Sequence, residues 1–511
     1  MKITDWKKDN YEKIAPLAEI IYLLMFNMML GIKMAGFYDG QTVFKLVFVA
    51  YAALFVAKMA LTDYTMKEYL FAAVLILFSG IVYVKTGEKG LFLCFSMMLG
   101  VKGVSIIKTL KIGAVISGVI MAVKIFLSAF GFVPEKYFAT YRSGVGEQIR
   151  HSLGYVHPNT LHISFFILTI LVLYTATKYR FHVFLVSVIS FALNIYIYMY
   201  SGSRTGILCS VAYIILNAWN YNRNHISLFE KIVYYLTYPA TCVVTIVLPL
   251  VLSDKWFKLL DDYVFNFRFT MAKYYFEHNS LSLFGIRLNN PDQVPYSIDM
   301  AGMYLFLQLG IVAFVGISVL SIWYVKRAME LNMKAELSAF IAICIAGLWE
   351  PFLYNTSYKN IAFVFVGAAI FSMAIEEKSA AIEKTTHMEK RALVYMGIGF
   401  CAAVVAFSVY LLATDPYTTM YADQAAPIVD QKEAQDPIMM SQAEEQEAIE
   451  NGALVLRYGE ADAPLYEFSQ ETAYEEYKLR VMSVCTFAFM LVILLEYTCF
   501  YFKDKRNIDR K

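Results

Sequence analysis

The chain has 511 residues, 59% of them hydrophobic and only 17% charged, and its 44 Lys and Arg against 42 Asp and Glu give a formal net charge of +2. Soluble domains carry about 25% charged residues, so a chain of soluble domains is excluded. Repeated apolar runs of roughly 20 residues, the length that crosses a bilayer, define instead an all-α polytopic integral membrane protein. The net charge names no partner, and no nucleic acid is expected.

The opening MKITDWKKDNYEK is basic, and no small-residue cleavage site follows the first apolar run. That run is therefore expected to be a retained helix after a cytoplasmic N-terminus at 1–13. Apolar windows follow at 14–33, 42–61, 68–84, 91–107, 112–131, 159–177, 181–200, 204–220, 231–252, 300–325, 336–352, 357–375, 392–413 and 480–502. They amount to about 14 transmembrane helices. Lys and Arg concentrate in alternate short loops, from Lys7, Lys8 and Lys13 through Lys178/Arg180 and Lys326/Arg327 to the tail KDKRNIDRK. By the positive-inside rule both termini are cytoplasmic. A polytopic core is expected over 14–375, with loops 132–158 and 253–299 on the outer side, a cytoplasmic loop at 376–391 and a basic cytoplasmic tail at 503–511. Between the helices at 392–413 and 480–502 lies an extracytoplasmic segment, 414–478, with fifteen acidic residues against Lys432, Arg457 and Lys478. This composition predicts a partly disordered, solvated appendage with a short helix near 441–450. The seven cysteines all fall in predicted spans without a CxxC pair, which excludes a disulfide framework or a cysteine-based zinc site.

Unusual polarity gathers at the edges assigned to the outside. RHSLGYVHPNTLH at 150–162 leads into the sixth window. Pro158 suits the first turn of a helix, where its missing N–H costs nothing, and Asn159 and Thr160 can satisfy neighbouring donors. A helix that starts there points free N–H groups and its positive dipole end outward, toward anions. SGSRTG at 201–206 repeats the arrangement, with Ser203 as N-cap and Arg204 in the first turn. The next large loop adds Arg268 in FNFRFTMAKYYFEH and Arg287 in LFGIRLNN, and Asp299 closes it as the expected N-cap of the tenth span. With Arg142 and Arg150 these arginines suit a diphosphate, whose oxygens match guanidinium forks. The bland alternatives are arginines snorkelling to headgroups, as for Arg142 and Arg287, and an interfacial histidine at His157. Lys124 and Glu19, well inside predicted spans, read equally as an ion path, a structural pair or misplaced span edges.

GYVHPN at 154–159, GSRTG at 202–206, Arg268 followed by LFG at 283–285, and Asp299 with Gly310 in DMAGMYLFLQLG carry a resemblance. In this order, over about 90–375, they resemble the O-antigen ligase and Wzy-type polysaccharide polymerase superfamily, in its capsular or exopolysaccharide polymerase branch. The resemblance implies functional arginines in the SRTG-like turn and the large outer loop, which are Arg204 and Arg268 here. Asp299 matches the family's aspartate, but Met300 and Gly302 stand where Asn and Tyr are usual. No histidine follows, which argues against the ligase branch.

The resemblance further implies a membrane glycosyltransferase of the bacterial cytoplasmic membrane with its catalytic face outside. It would move a growing glycan from undecaprenyl diphosphate to another lipid-linked repeat unit. Arg204 and Arg268 would stabilise the departing diphosphate, and Asp299 or His157 would take the acceptor proton. Arg142, Arg150, Asn159, Ser203 and Arg287 would bind substrate. No cofactor or metal is expected, and a flippase and a chain-length regulator of the same pathway are the expected protein partners. The alternatives are a ligase-like transferase to another acceptor and a lipid-linked oligosaccharide flippase. A flippase would need ionisable groups deep in the spans.

Overall fold

A computed structural model describes residues 11–129, 132–133, 137–142, 146–180, 182–221, 223, 225–288, 298–373, 382–414, 416, 420–422, 455–458, 464–468 and 470–509. The helices, in chain order, begin with α1 (Tyr11–Met34), α2 (Thr42–Leu61), α3 (Met66–Thr86), the short α4 (Gly90–Gly100) and α5 (Ile106–Ala129). A hairpin of β1 (Tyr137–Arg142) and β2 (Gly146–His151) precedes α6 (Pro158–Lys178), α7 (Val183–Ser201) and α8 (Arg204–Tyr221). Then come α9 (Leu228–Val251), α10 (Asp254–Leu260), α11 (Arg268–His278) and α12 (Ile311–Glu330). Two shorter helices, α13 (Lys334–Ala346) and α14 (Ala362–Ile370), and the long α15 (Ile382–Ala413) follow. Strands β3 (Met420–Ala422), β4 (Val455–Tyr458) and β5 (Pro464–Phe468) form an antiparallel sheet in the order β3-β5-β4, before α16 (Gln470–Asp509).

Among the described residues nine helices are long and apolar enough to cross a membrane: α1 to α3, α5 to α7, α9, α12 and the Val394–Ala413 part of α15. The chain is thus a helical, multi-pass membrane protein. Side chains such as Leu46, Leu77 and Leu412 stand exposed on these helices, as lipid-facing residues do. Local signals set several ends. Thr65 and Glu68 form a complete capping box at the start of α3, and Ser227 and Glu230 do so for α9. Gly87, at φ +83°, ends α3 in the left-handed conformation that an L side chain avoids.

The structure departs from the apolar windows in three places. The window 91–107 holds only the 11 residues of α4. The windows 336–352 and 357–375 hold α13 and α14, of 13 and 9 residues, with irregular backbone from 347 to 361 between them. At 1.5 Å per residue these are about 20 and 14 Å long, well short of the ~30 Å hydrocarbon core. The window 300–325 is broken as well. A turn at Ala301–Met303 and a π-helical turn at Tyr304–Gln308 end at Gly310, and the long helix starts only at Ile311.

In the acidic segment and at Lys124 and Glu19 the structure adds detail. The acidic segment contains a three-stranded sheet, and its expected helix near 441–450 lies outside the described residues. Lys124 and Glu19 do not pair with each other. Lys124 donates to the Ala35 carbonyl at the end of α1 (2.7 Å), and Glu19 lies 3.5 Å from Lys108.

Contacts divide the chain into two compact units. The first is Met1–Lys124, Phe166–Lys178 and Ala212–Lys378, and the second is Ile125–Phe165, Tyr179–Val211 and Ser379–Lys511. In the first, α4, α13 and α14 are almost wholly buried and form the core. Close backbone approach holds them, since a Cβ on Gly367 would lie 2.1 Å from the Met98 carbonyl oxygen. In the second, α15 and α16 pack side by side, and Gly399 lets the Phe489 ring approach to 2.9 Å of where a Cβ would stand.

Candidate functional site

The residues singled out by the sequence fall into both units, and each group has its own geometry. In the second unit they converge on the first turns of α6 and α8. Pro158 is the first residue of α6, as its chemistry predicts. Arg150, at the end of β2, is 5% exposed. Its Nε donates to the Ser201 carbonyl at the end of α7 (2.7 Å), and one terminal nitrogen donates to Asn159 Oδ1 (2.5 Å). One guanidinium therefore ties a strand end, a helix start and a helix end together. His157 is buried edge-on against Phe138, and its Nδ1 accepts the Asn159 N–H (3.1 Å).

The SGSRTG turn completes this group. Gly202 is left-handed at φ +55°, and Arg150 Cγ lies 3.2 Å from where a Cβ would stand. Ser203 is buried and its Oγ accepts the Gly206 N–H (3.3 Å), so it caps α8 as expected. Arg204, the first residue of α8, is exposed. Arg142 ends β1 opposite Gly146, and its side chain lies outside the described residues.

His162, which no sequence motif marks as functional, lies at the centre of this group. It is fully buried, one turn into α6, with Nδ1 2.9 Å from Ser201 Oγ and Nε2 2.8 Å from Asn194 Oδ1. A Cβ on Gly206 would stand 2.2 Å from the His162 ring, so only glycine lets α8 approach α6 here. The signal was available: Asn194 and Ser201 are polar residues inside an apolar run, seven positions apart on one helix face.

In the first unit Arg268 opens α11. The chain reaches it through Asn266 (φ +49°) and Phe267 (φ +63°), and the second of these costs about 1–2 kcal/mol for a non-glycine residue. What holds this turn is Asp261, 2% exposed. Its carboxylate accepts the N–H groups of Phe269 (2.8 Å) and Thr270 (3.0 Å) and the Thr270 hydroxyl (2.5 Å). It caps α11 from seven residues upstream of its first residue, a spacing that no local pattern encodes. Arg268 then donates from Nε to the Trp349 carbonyl (2.8 Å) and from Nη1 to that of Phe265 (3.2 Å). Its Nη2 lies 3.8 Å from Asp299 and 3.9 Å from Glu350.

Asp299 is thus an arginine partner and not a helix cap. Met300 holds the N-cap position of the short turn. The helix proper is delayed because Gly310, at φ +96°, lies against Gly285, at φ +82°. A Cβ on Gly310 would come 2.3 Å from the Gly285 nitrogen, and one on Gly285 2.2 Å from the Gln308 carbonyl. The LFG turn and the glycine of YLFLQLG therefore interlock through their backbones, and the Ile286 N–H bonds the Gln308 carbonyl (3.1 Å). Gln308 in turn donates to Glu88 Oε1 (2.8 Å) in the turn between α3 and α4. Burial holds the Glu88 carboxyl above the usual range, opposed by the facing Tyr304 hydroxyl and by Lys89. Arg287 is exposed.

Among the described residues no group of three His, Cys, Asp or Glu side chains could hold a metal ion. Comparisons with protein-family models, with curated proteins and with solved structures find no match.

Proposed function

We propose that this chain is a polysaccharide polymerase of the bacterial cytoplasmic membrane, transferring a growing glycan from undecaprenyl diphosphate to another lipid-linked repeat unit. One observation carries this reading: a hydrogen-bonded group of Arg150, His157, Asn159 and Ser203 gathers at the first turns of α6 and α8, beside Arg204. Helix N-termini and guanidinium groups together suit a diphosphate leaving group. The charge distribution of the loops assigns that end to the outer side, where lipid-linked sugars are available and nucleotide sugars are not.

The roles divide by exposure. Arg204, at a helix start and exposed, is the cation that meets the substrate. Arg150, buried and bonded to Ser201 and Asn159, is a positioning residue. In the first unit Arg268 sits between two carboxylates, 3.8 Å from Asp299 and 3.9 Å from Glu350. A flippase is the second reading, favoured by buried charge elsewhere in the first unit. Lys178 and Glu336 pair at 2.9 Å, both nearly inaccessible, with the Tyr174 hydroxyl donating to the same carboxylate (2.8 Å).

The test is polymer length per molecule of membrane-inserted protein in cells that lack the native copy. Arg204→Lys should lose most of the activity that Arg204→Ala loses, because an ammonium cannot form the two-pronged contact. Full-length polymer from Arg204→Ala at normal abundance would remove Arg204 from the reaction. Export of repeat units that continues without any polymer would favour the flippase.

A further inference from the structure

The segment that joins α9 to α11 has three faces of different chemistry. It is helical from Asp254 to Phe265, where α10 runs into a π-helical turn. One face, with Phe257, Asp261 and Phe265 at steps of four, packs on the first unit. Phe257 and Phe265 meet the Phe269 ring at 6.0 and 4.2 Å, Phe265 also stacks on Trp349 at 6.0 Å, and Asp261 caps α11. A second face is charged, with Lys255, Lys258 and Asp262 all exposed. The third is apolar. Trp256, Leu259, Tyr263, Val264 and Phe267 recur at helical spacing, and each is between 47 and 59% exposed.

Five large apolar side chains in one stripe exceed the scattered exposure of an ordinary surface and mark a face that something covers. The neighbouring span says what. α9 carries an exposed row of its own, Val243, Val247 and Val251, up to its last residue. Trp256 follows five residues later, so the lipid-facing surface of α9 continues into the apolar face of α10. The composition is that of the membrane boundary. Trp and Tyr concentrate where hydrocarbon meets water, and lysine stems lie along apolar surface while their ammonium groups stay wet. At 1.5 Å per residue the helix is at most about 18 Å long, too short to cross the ~30 Å hydrocarbon core. A short helix with protein on one side, charge on another and an apolar third side lies in the plane of the membrane.

We propose that residues 254–267 form an in-plane helix seated in the headgroup boundary of the bilayer at the end of α9, and that this seat sets the depth of Arg268. The occupant of the apolar face is the glycerophospholipid of that leaflet. The link to Arg268 is short. Trp349 Nε1 donates to the Val264 carbonyl (3.2 Å), and Arg268 donates to the Trp349 and Phe265 carbonyls (2.8 and 3.2 Å). Arg268 is thereby held at the depth where the charged group of a lipid-linked diphosphate lies, a bearing that rests on the substrate class proposed above. The seat itself can be tested without glycan transfer.

The experiment is tryptophan quenching in the full-length protein, reconstituted into phosphatidylcholine vesicles. The chain has five tryptophans, so the emission of Trp256 is read as the difference between the wild-type protein and Trp256→Phe. Phosphatidylcholine brominated near the headgroup end of its acyl chains should quench that difference strongly. The same lipid brominated near the methyl end should quench it weakly, as should aqueous acrylamide. Strong quenching by acrylamide without quenching by lipid would put the face in water and overturn the proposal. Protection from both quenchers would mean a protein cover, such as a second copy of the chain, and would overturn it too. So would stronger quenching from the methyl end. Leu259→Asp should lower both the lipid quenching of Trp256 and the polymer made per molecule of inserted protein, while Leu259→Phe keeps both. Should Leu259→Asp not insert, Val264→Asp takes its place. Unchanged lipid quenching in the aspartate variant would show that the stripe does not seat the helix. Full polymer from an aspartate variant whose Trp256 has left the lipid would overturn the link to Arg268. Lipid quenching at Trp256 in a wild-type chain that makes no polymer in cells would keep the seat and refute the polymerase.

Discussion

Replacing Gly206 by alanine probes the contact on which the second unit's polar group depends. The added Cβ would stand 2.2, 2.5 and 2.6 Å from His162 Cγ, Cδ2 and Cβ, distances that real Cβ atoms do not occupy. The far end of a flexible side chain could swing away, but His162 is held at both ring nitrogens and fully buried. Either α8 moves off α6, or the ring leaves Ser201 and Asn194. Overpacking costs about 1–3 kcal/mol. Two lost buried hydrogen bonds cost about 0.6–1.5 kcal/mol each in a membrane setting. Whichever way the clash is relieved, the loss should be about 1–3 kcal/mol. The assay is thermal unfolding of the purified protein in detergent, run for Gly206→Ala, His162→Ala and the double variant. Removing the ring makes room for the methyl group, so the double variant should be more stable than the two separate losses would sum to. Strict additivity, or a Gly206→Ala protein that melts with wild type, would refute the close approach of α8 to His162.

Asp261→Ala should destabilise the protein by about 1–2 kcal/mol, as for the loss of an N-cap, because three donors at the start of α11 lose their acceptor. Unchanged hydrogen exchange at Phe269 and Thr270 would show that Asp261 does not hold the turn. Glu88 gives a pH dependence of known sign. Its carboxyl titrates higher in the folded chain than in the unfolded one, chiefly through burial. The folded state therefore binds the proton more tightly, and its stability falls as pH rises from the ordinary glutamate range through the raised value. Glu88→Gln should flatten that part of the pH profile of the melting temperature, and an identical slope in both proteins would contradict it.

The helical class was legible because apolar run length is a direct physical requirement of the bilayer, and α1 to α3, α5 to α7 and α9 follow it closely. Pro158 and Ser203 were legible because their roles are local, a missing N–H and a hydroxyl three residues from its donor. Asp261 was not, since it caps a helix that begins seven residues later, beyond an intervening left-handed turn. Asp299 was misassigned because the interruption of its helix depends on Gly285, 25 residues away from Gly310. The stretch WEPFLYNTSYKN at 349–360 carried a usable signal. Glu350 and Lys359 inside the two supposed spans should split both windows, but hydropathy averaged over a window conceals them. His162 lies within a polar motif, but its partners Asn194 and Ser201 are on a helix that looks uniformly apolar, so nothing local marks its place.

The pair of half-length helices has a consequence for biogenesis. A segment as short as α13 or α14 does not hold itself across a bilayer, and the polar backbone between them cannot be left facing lipid. When this part of the chain leaves the ribosome, it needs a protein surface already waiting for it. That surface is α1, α2 and α4, made more than two hundred residues earlier, which supply Phe26, Tyr51 and the open face of Gly90. Insertion of the early helices must therefore precede the seating of residues 347–361. A chain carrying a bulky residue at position 90 should insert its first helices normally and leave the later hairpin exposed to membrane quality control.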